Sequence, residues 1–323
     1  MRRPILLLLA LFALVASCNQ GARDEGAGKG TAGSSGATAS GATKTTGRVL
    51  GTAKTPLIQA FVPSTEAQKI VENAEPLAEL VRERTGYTVK NLVATSYIAV
   101  VEALGQGHAH IAWLPPMAYV LAHQRNGARV ILKVVRRGQA VYHGIILVRK
   151  DSGIKTLADL EGKSFAFVEP ASASGHLYPR ALLMKNGIDP DKDLKSYVFS
   201  GSHDSAVLAV FNGSVDAAAC FDDARIKFEE SMPAVLTETE VLARTPDIPA
   251  DNVVVAAGLP DDMVAKLTEA FMAIAEDPKG KQVLFDIYNV DGLVPAQDSE
   301  YDTLRETARV LGLDIDKHVR EES

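Results

Sequence analysis

From Pro56 onward the chain repeats one pattern, a short apolar run followed by a stretch whose apolar residues fall at helical spacing. Leu57 to Val62 reads as a strand, and Thr65 is placed to cap a helix that ends near Gly86. Val89 to Val93 returns as a strand, and Tyr97, Val100, Val101 and Leu104 share a helix face. Ile111 to Leu114 is a further strand, stopped by Pro115 and Pro116, with a helix over Met117 to Gln124. Two β-rich stretches follow, Val130 to Val135 and Val141 to Val148. A second set then runs through a short helix near Leu157 to Leu160, a strand at Ser164 to Val168 and a helix after Ser174. Tyr197 to Phe199, Ser205 to Phe211, Val215 to Cys220, a helix from Asp222 and a strand at Val253 to Ala256 continue it. Asp261 to about Leu311 is mainly helical. Such alternation buries both faces of a sheet under helices and predicts an α/β protein with mainly parallel sheets. Two sets joined by long β-rich crossings predict two lobes with a cleft between them.

The residues before this body have a different character. Arg2 and Arg3 precede an uncharged apolar run from Pro4 to Val15, the layout of a secretory signal peptide over residues 1–17. The run is shorter than the roughly 20 residues that span a hydrocarbon core. Val15-Ala16-Ser17-Cys18 looks like a bacterial lipobox, which makes Cys18 the expected lipidation site. Residues 18–47, rich in Gly, Ala, Ser and Thr, read as a flexible tether, because they lack the apolar surface that offsets the entropy of ordering. The expected setting is therefore a membrane-anchored lipoprotein, periplasmic or at the cell surface. The second cysteine, Cys220, lies in an apolar run and reads as a buried, inert thiol, so no internal disulfide is expected. The net charge of -6, with both signs interspersed, gives no footprint for nucleic acid.

Three strand-to-helix junctions carry candidate chemistry. Glu169-Pro170-Ala171-Ser172-Ala173-Ser174-Gly175 leaves backbone N–H groups uncovered at a helix start. A tetrahedral oxyanion can dock there on Ser172, Ser174 and the amides between them, although the residues taken alone read first as a simple serine cap. Gly201-Ser202-His203-Asp204-Ser205 repeats the arrangement, with His203 as a donor or a plain surface residue. Ala94-Thr95-Ser96-Tyr97 is the third, with Tyr97 either facing a ligand or packing in the core.

Taken together, Tyr97 to Leu104 (YIAVVEAL), Ile111 to Ala122 (IAWLPPMAYVLA), Tyr142 to Lys150 (YHGIILVRK), Phe167 to Tyr178 (FVEPASASGHLY), Ser200 to Gly213 (SGSHDSAVLAVFNG), Val215 to Asp223 (VDAAACFDD) and Ile248 to Val253 (IPADNV) resemble the phosphate, phosphite and phosphonate-binding proteins of ABC transporters, a branch of the type II periplasmic binding proteins. The resemblance implies a discontinuous first lobe of residues 56–148 plus 252–323, a second lobe of 149–251, and capture of a small phosphorus oxyanion for a membrane permease without a cofactor. It implies that the anion sits on Ser172 to Ser174, with Tyr97 and Tyr142 reaching in and His203 donating. Asp251 would accept a proton from the ligand or hold an amino group, and Asp223 would face an organic arm. Ala173 stands where relatives often carry Thr, which removes a hydroxyl worth on the order of 1 kcal/mol. The three junction segments lack Arg and Lys, so helix dipoles and hydrogen bonds alone are expected to neutralise the anion, and a ligand still carrying a proton is favoured over sulfate.

Other readings compete. Ser174, His203 and Asp251 could be imagined as a nucleophilic triad, yet Gly-x-Ser-x-Gly is absent, and no enzyme is expected. His108 and His110 would share one strand face, but the other histidines are scattered and no metal set closes. A two-lobed receptor for a sulfonate, or a sensor feeding a membrane kinase, would share the same sequence features.

Overall fold

The computed structural model describes residues 49–317 except 223, 311 and 313, so Cys18, the signal segment and the whole of the tether lie outside the described residues, as does Asp223. In chain order the elements are β1 (Leu57–Phe61), α1 (Ala67–Thr85), β2 (Val89–Val93), α2 (Tyr97–Gly105), β3 (Ile111–Leu114), α3 (Pro116–Asn126), β4 (Arg129–Val135), β5 (Val141–Tyr142) and β6 (Gly144–Arg149). They continue with β7 (Ser164–Phe167), α4 (Tyr178–Lys185), β8 (Ser196–Phe199), α5 (His203–Phe211), β9 (Ala217–Phe221), α6 (Ala234–Glu238), β10 (Thr239–Arg244), β11 (Ile248–Pro249) and β12 (Asn252–Val255). The last are α7 (Asp261–Glu276), α8 (Pro278–Tyr288), β13 (Gly292–Pro295) and α9 (Asp302–Val310).

Two sheets organise these elements. The first has the order β13-β4-β12-β3-β1-β2 and the second β10-β6-β9-β7-β8, with a small β11-β5 ladder beside them. Strands β2, β1, β3 and β4 of the first sheet point one way and β12 and β13 the other; in the second only β6 is reversed. The fold is thus a two-lobed α/β architecture of largely parallel strands. Alternation explains why these short runs become central strands. In β3, Ile111 and Trp113 join one apolar cluster, while Ala112 and Leu114 join the cluster on the opposite face. In β9, Ala218 and Cys220 face one cluster and Ala217 and Ala219 another, which leaves the Cys220 thiol fully buried.

Several expectations need correction. The crossing strand β6 belongs to the second sheet, not to a first lobe that ends at 148. Its residues 144–148 are all buried and need a neighbour on each edge, which β9 and β10 supply. Thr65 does not cap α1. The helix starts at Ala67 after Glu66, and Thr65 turns instead into the wall of the cleft. Asp222 opens a turn and a short 3-10 helix, Ile226–Phe228, rather than a helix of its own. The edge strands β10 and β13 carry too few apolar residues to stand out in the sequence. His108 and His110 precede β3 rather than sharing a strand, and His110 Nδ1 accepts the Ile58 N–H at 3.0 Å. No helix among the described residues is long and apolar enough to cross a membrane.

Candidate functional site

A cavity of roughly 270 Å³ opens between the lobes, where strand ends and helix starts of both sheets converge. Tyr97, Tyr142, Ser172, Ser174, His203 and Asp251 all line it. Ala173 does not: its methyl is fully buried in the apolar cluster with Leu177, Tyr178 and Tyr119.

The serine segment is shaped by close packing. Ser172 Oγ accepts the Gly175 N–H at 3.0 Å, and the chain winds through a π turn over Ala173–Leu177 before α4 begins. Accepting that bond leaves the Ser172 hydroxyl hydrogen able to donate. Two glycines permit the arrangement. A Cβ on Gly175 would lie 2.5 Å from Val168 Cβ, and one on Gly144 would lie 2.6 Å from Ser174 O. The crossing chain therefore runs directly against the serine turn. Tyr142, on β5, reaches the Ser174 hydroxyl, and burial pushes both the Tyr142 and Tyr97 phenols well above their ordinary range, so both remain neutral donors. Ser96 and Ser202, by contrast, are helix caps, accepting Ala99 N–H at 3.2 Å and Ser205 N–H at 3.1 Å.

His203 has a defined protonation pattern. Its Nδ1 accepts the Phe221 N–H at 3.2 Å, which leaves Nε2 as the donor of the neutral ring. Burial first, then Lys227 and Arg136, push its pKa down to about 3. Because Nδ1 is occupied and Asp251 pairs with Arg136, the Ser174, His203 and Asp251 set cannot work as a relay in which the acid orients the imidazole.

The expectation of a cradle without cations is wrong. Arg136, Arg137, Lys227 and Arg244 line the cavity together with Asp222 and Asp251. Arg136 Nη2 donates to Asp251 Oδ2 at 2.9 Å, and its Nε donates to Tyr288 O at 3.0 Å. Arg244 Nη1 lies 3.2 Å from Asp222 Oδ2, beside His143, whose Nε2 is 2.9 Å from Asp247 Oδ1. These cations come from a turn, a short 3-10 helix and an edge strand, so the segments read for anion docking could not reveal them. The one visible signal was Arg136-Arg137-Gly138, a charged turn between the two β-rich crossings. Among the described residues no group of three or more His, Cys, Asp or Glu side chains is placed to hold a metal.

A family model for the periplasmic substrate-binding protein of phosphonate ABC transporters matches residues 59–301. The chain is 34% identical over 173 residues to the phosphate-import protein PhnD of Mycolicibacterium smegmatis, covering 50% of this chain and 54% of that protein. It is 30% identical over 228 residues to the phosphonates-binding periplasmic protein of Escherichia coli, covering 68% of this chain and 67% of that one. The matched region thus spans about half the length of the first relative and two thirds of the second. The crystal structure of a binding protein component of an ABC phosphonate transporter from Pseudomonas aeruginosa superposes with a TM-score of 0.72 at 26% identity, covering 78% of this chain and 85% of that one. Sequence pattern, two-lobed architecture and these likenesses agree: the chain belongs to the phosphonate periplasmic substrate-binding proteins of ABC transporters, a family of binding proteins rather than enzymes.

Proposed function

We propose that the protein captures a small phosphorus oxyanion, a phosphonate, phosphite or phosphate, outside the cytoplasm and passes it to an ABC permease. One observation carries this reading. Hydroxyls of Ser172 and Ser174, the neutral phenols of Tyr97 and Tyr142 and the neutral ring of His203 converge on one cavity between the lobes. Neutral donors around a partly desolvated anion bind it without the reorganisation that water would need. Asp251, held by Arg136, is the acceptor for a ligand hydroxyl, and Arg136 adds the positive charge that the hydroxyls lack. The phosphorus names of the two relatives support the same ligand class. Asp223 faces the organic arm of the ligand in the same proposal, on the strength of the resemblance alone.

Calorimetric titration with methylphosphonate, phosphite, phosphate and sulfate tests the proposal. A phosphorus ligand is expected to bind more tightly than sulfate, which offers no proton to Asp251 at neutral pH; equal or tighter sulfate binding refutes it. Capture proceeds by hinged closure about the two crossings, so saturation is expected to reduce the radius of gyration. Lipid attachment at Cys18 is part of the proposal and predicts incorporation of a labelled fatty acid that is lost in Cys18→Ala.

A further inference from the structure

Strand β1 is separated from the crossing strand β12 by β3, so the loop after it, Ser64 to Glu66, meets the second lobe at a distance from the crossings. Two successive residues at the start of α5 hold that loop. His203 N–H donates to Ser64 O at 3.1 Å, and Asp204 Oδ2 accepts the Glu66 N–H at 3.1 Å. The same Oδ2 lies 3.7 Å from Lys227 Nζ, and Lys227, from the short 3-10 helix after β9, forms part of the cavity wall. Asp204 Oδ1 is buried without a partner. An acidic residue in the first turn of a helix is stabilising by itself, but that role needs neither the contact with the first lobe nor the lysine.

We infer that Asp204 is a positioning residue that ties closure of the lobes to the charge of the cleft's occupant, because one carboxylate oxygen both clasps the first lobe and holds the cavity-lining Lys227. The inference rests on the anion reading of the cleft. A ligand shifts a conformational equilibrium only through a difference in its interaction with the two states. The bridge to Glu66 holds the share of molecules whose lobes already meet without a ligand, a share that an anion raises, and its oxygen is shared with a cation that the anion attracts. Glu66 and Lys69 are the further charges acting on Lys227, both from the first lobe, and burial disfavours its ammonium. An anion in the cavity offsets that burial and keeps Lys227, and with it Asp204, in the clasping position.

The full chain tests this in two arms. In X-ray scattering of the ligand-free protein, Asp204→Ala is expected to be more expanded than the wild type. Asp204→Asn, which keeps an acceptor for Glu66 N–H, should fall between them. In stopped-flow experiments with methylphosphonate, Asp204→Ala is expected to dissociate about tenfold faster with little change in association rate. Lys227→Met is expected to change dissociation in the same direction, and the double variant to be no faster than Asp204→Ala alone, since the two act through one contact. Equal radii of gyration in the three ligand-free proteins would overturn the clasp, and additive effects in the double variant would overturn its coupling to the cavity. A wild type that binds none of methylphosphonate, phosphite and phosphate overturns the anion reading and the charge coupling together, while the scattering arm still decides whether Asp204 clasps the lobes.

Discussion

Glu169 offers a quantitative test of how the lobes are joined. It follows β7 in the second lobe, is buried, and its carboxylate accepts the N–H of Tyr97, the first residue of α2 in the first lobe. Helix starts carry unpaired N–H groups, so an acceptor is welcome there, but no cation offsets the desolvation of the carboxylate. Burial raises its pKa from 4.5 to about 7. The folded protein therefore retains a proton on Glu169 that the unfolded chain has already released between these two values. Stability falls as pH rises through that window and is level above it. At about 1.4 kcal/mol per pH unit, the interval from 4.5 to about 7 corresponds to about 3 kcal/mol. Glu169→Gln keeps an acceptor for Tyr97 N–H and cannot ionise. Urea denaturation of both proteins at pH 4.5, 6 and 8 should show the variant gaining about 3 kcal/mol relative to the wild type across the series, a difference of roughly 5–10 °C in melting midpoint. A wild type and variant whose stabilities run parallel from pH 4.5 to 8 would refute the argument that Glu169 is buried without a counter-charge.

Other residues make simpler predictions. Ser172→Ala removes both the cap on Gly175 N–H and a hydroxyl proposed to hold the ligand. It should cost about 1 kcal/mol of stability and weaken methylphosphonate binding by roughly tenfold or more, as judged by melting and calorimetry. Gly144→Ala places a methyl against Ser174 O, 2.6 Å away, and should weaken binding through displacement of the serine turn; unchanged affinity would show that the turn has room to move. Because His203 is already neutral above about pH 3, His203→Gln should leave the shape of the pH profile of binding between pH 5 and 8 unchanged, whatever it does to affinity. A difference in shape near pH 6.5 would mean that the ring titrates in the working range.

The sequence made the central strands legible because their apolar residues come in short unbroken runs with a helix between each pair. It concealed β10, where Glu240 and Arg244 interrupt the pattern at a sheet edge, and β13, four residues that end in proline. Edge strands need apolar residues on fewer sides, so periodicity is a weak guide there. Six of the candidate ligand residues line one cavity because each sits at a strand end or helix start, and such positions in α/β folds face the cleft. The cations were illegible for the opposite reason. Arg136, Lys227 and Arg244 belong to a turn, a short 3-10 helix and an edge strand, where a charged residue is ordinarily solvated, and only the apposition of the two lobes places them around one cavity. Thr65 is not the cap because α1 begins after Glu66, whose N–H is taken by a tertiary partner, Asp204, rather than by a local side chain.

The serine turn has a mechanical consequence. Its sequence neighbours pair in the second sheet, yet Ala171, Ala173, Leu177 and Tyr178 are packed into the first lobe's cluster with Tyr119, Tyr301 and Leu304. The serines proposed to grip the anion thus sit on the axle of the molecule rather than on either jaw. A rotation about that axle displaces nearby atoms little and distant ones much. The phosphorus end of a ligand would be held almost still while the far end of its organic arm meets a moving wall, so arm length is where this receptor can discriminate by shape.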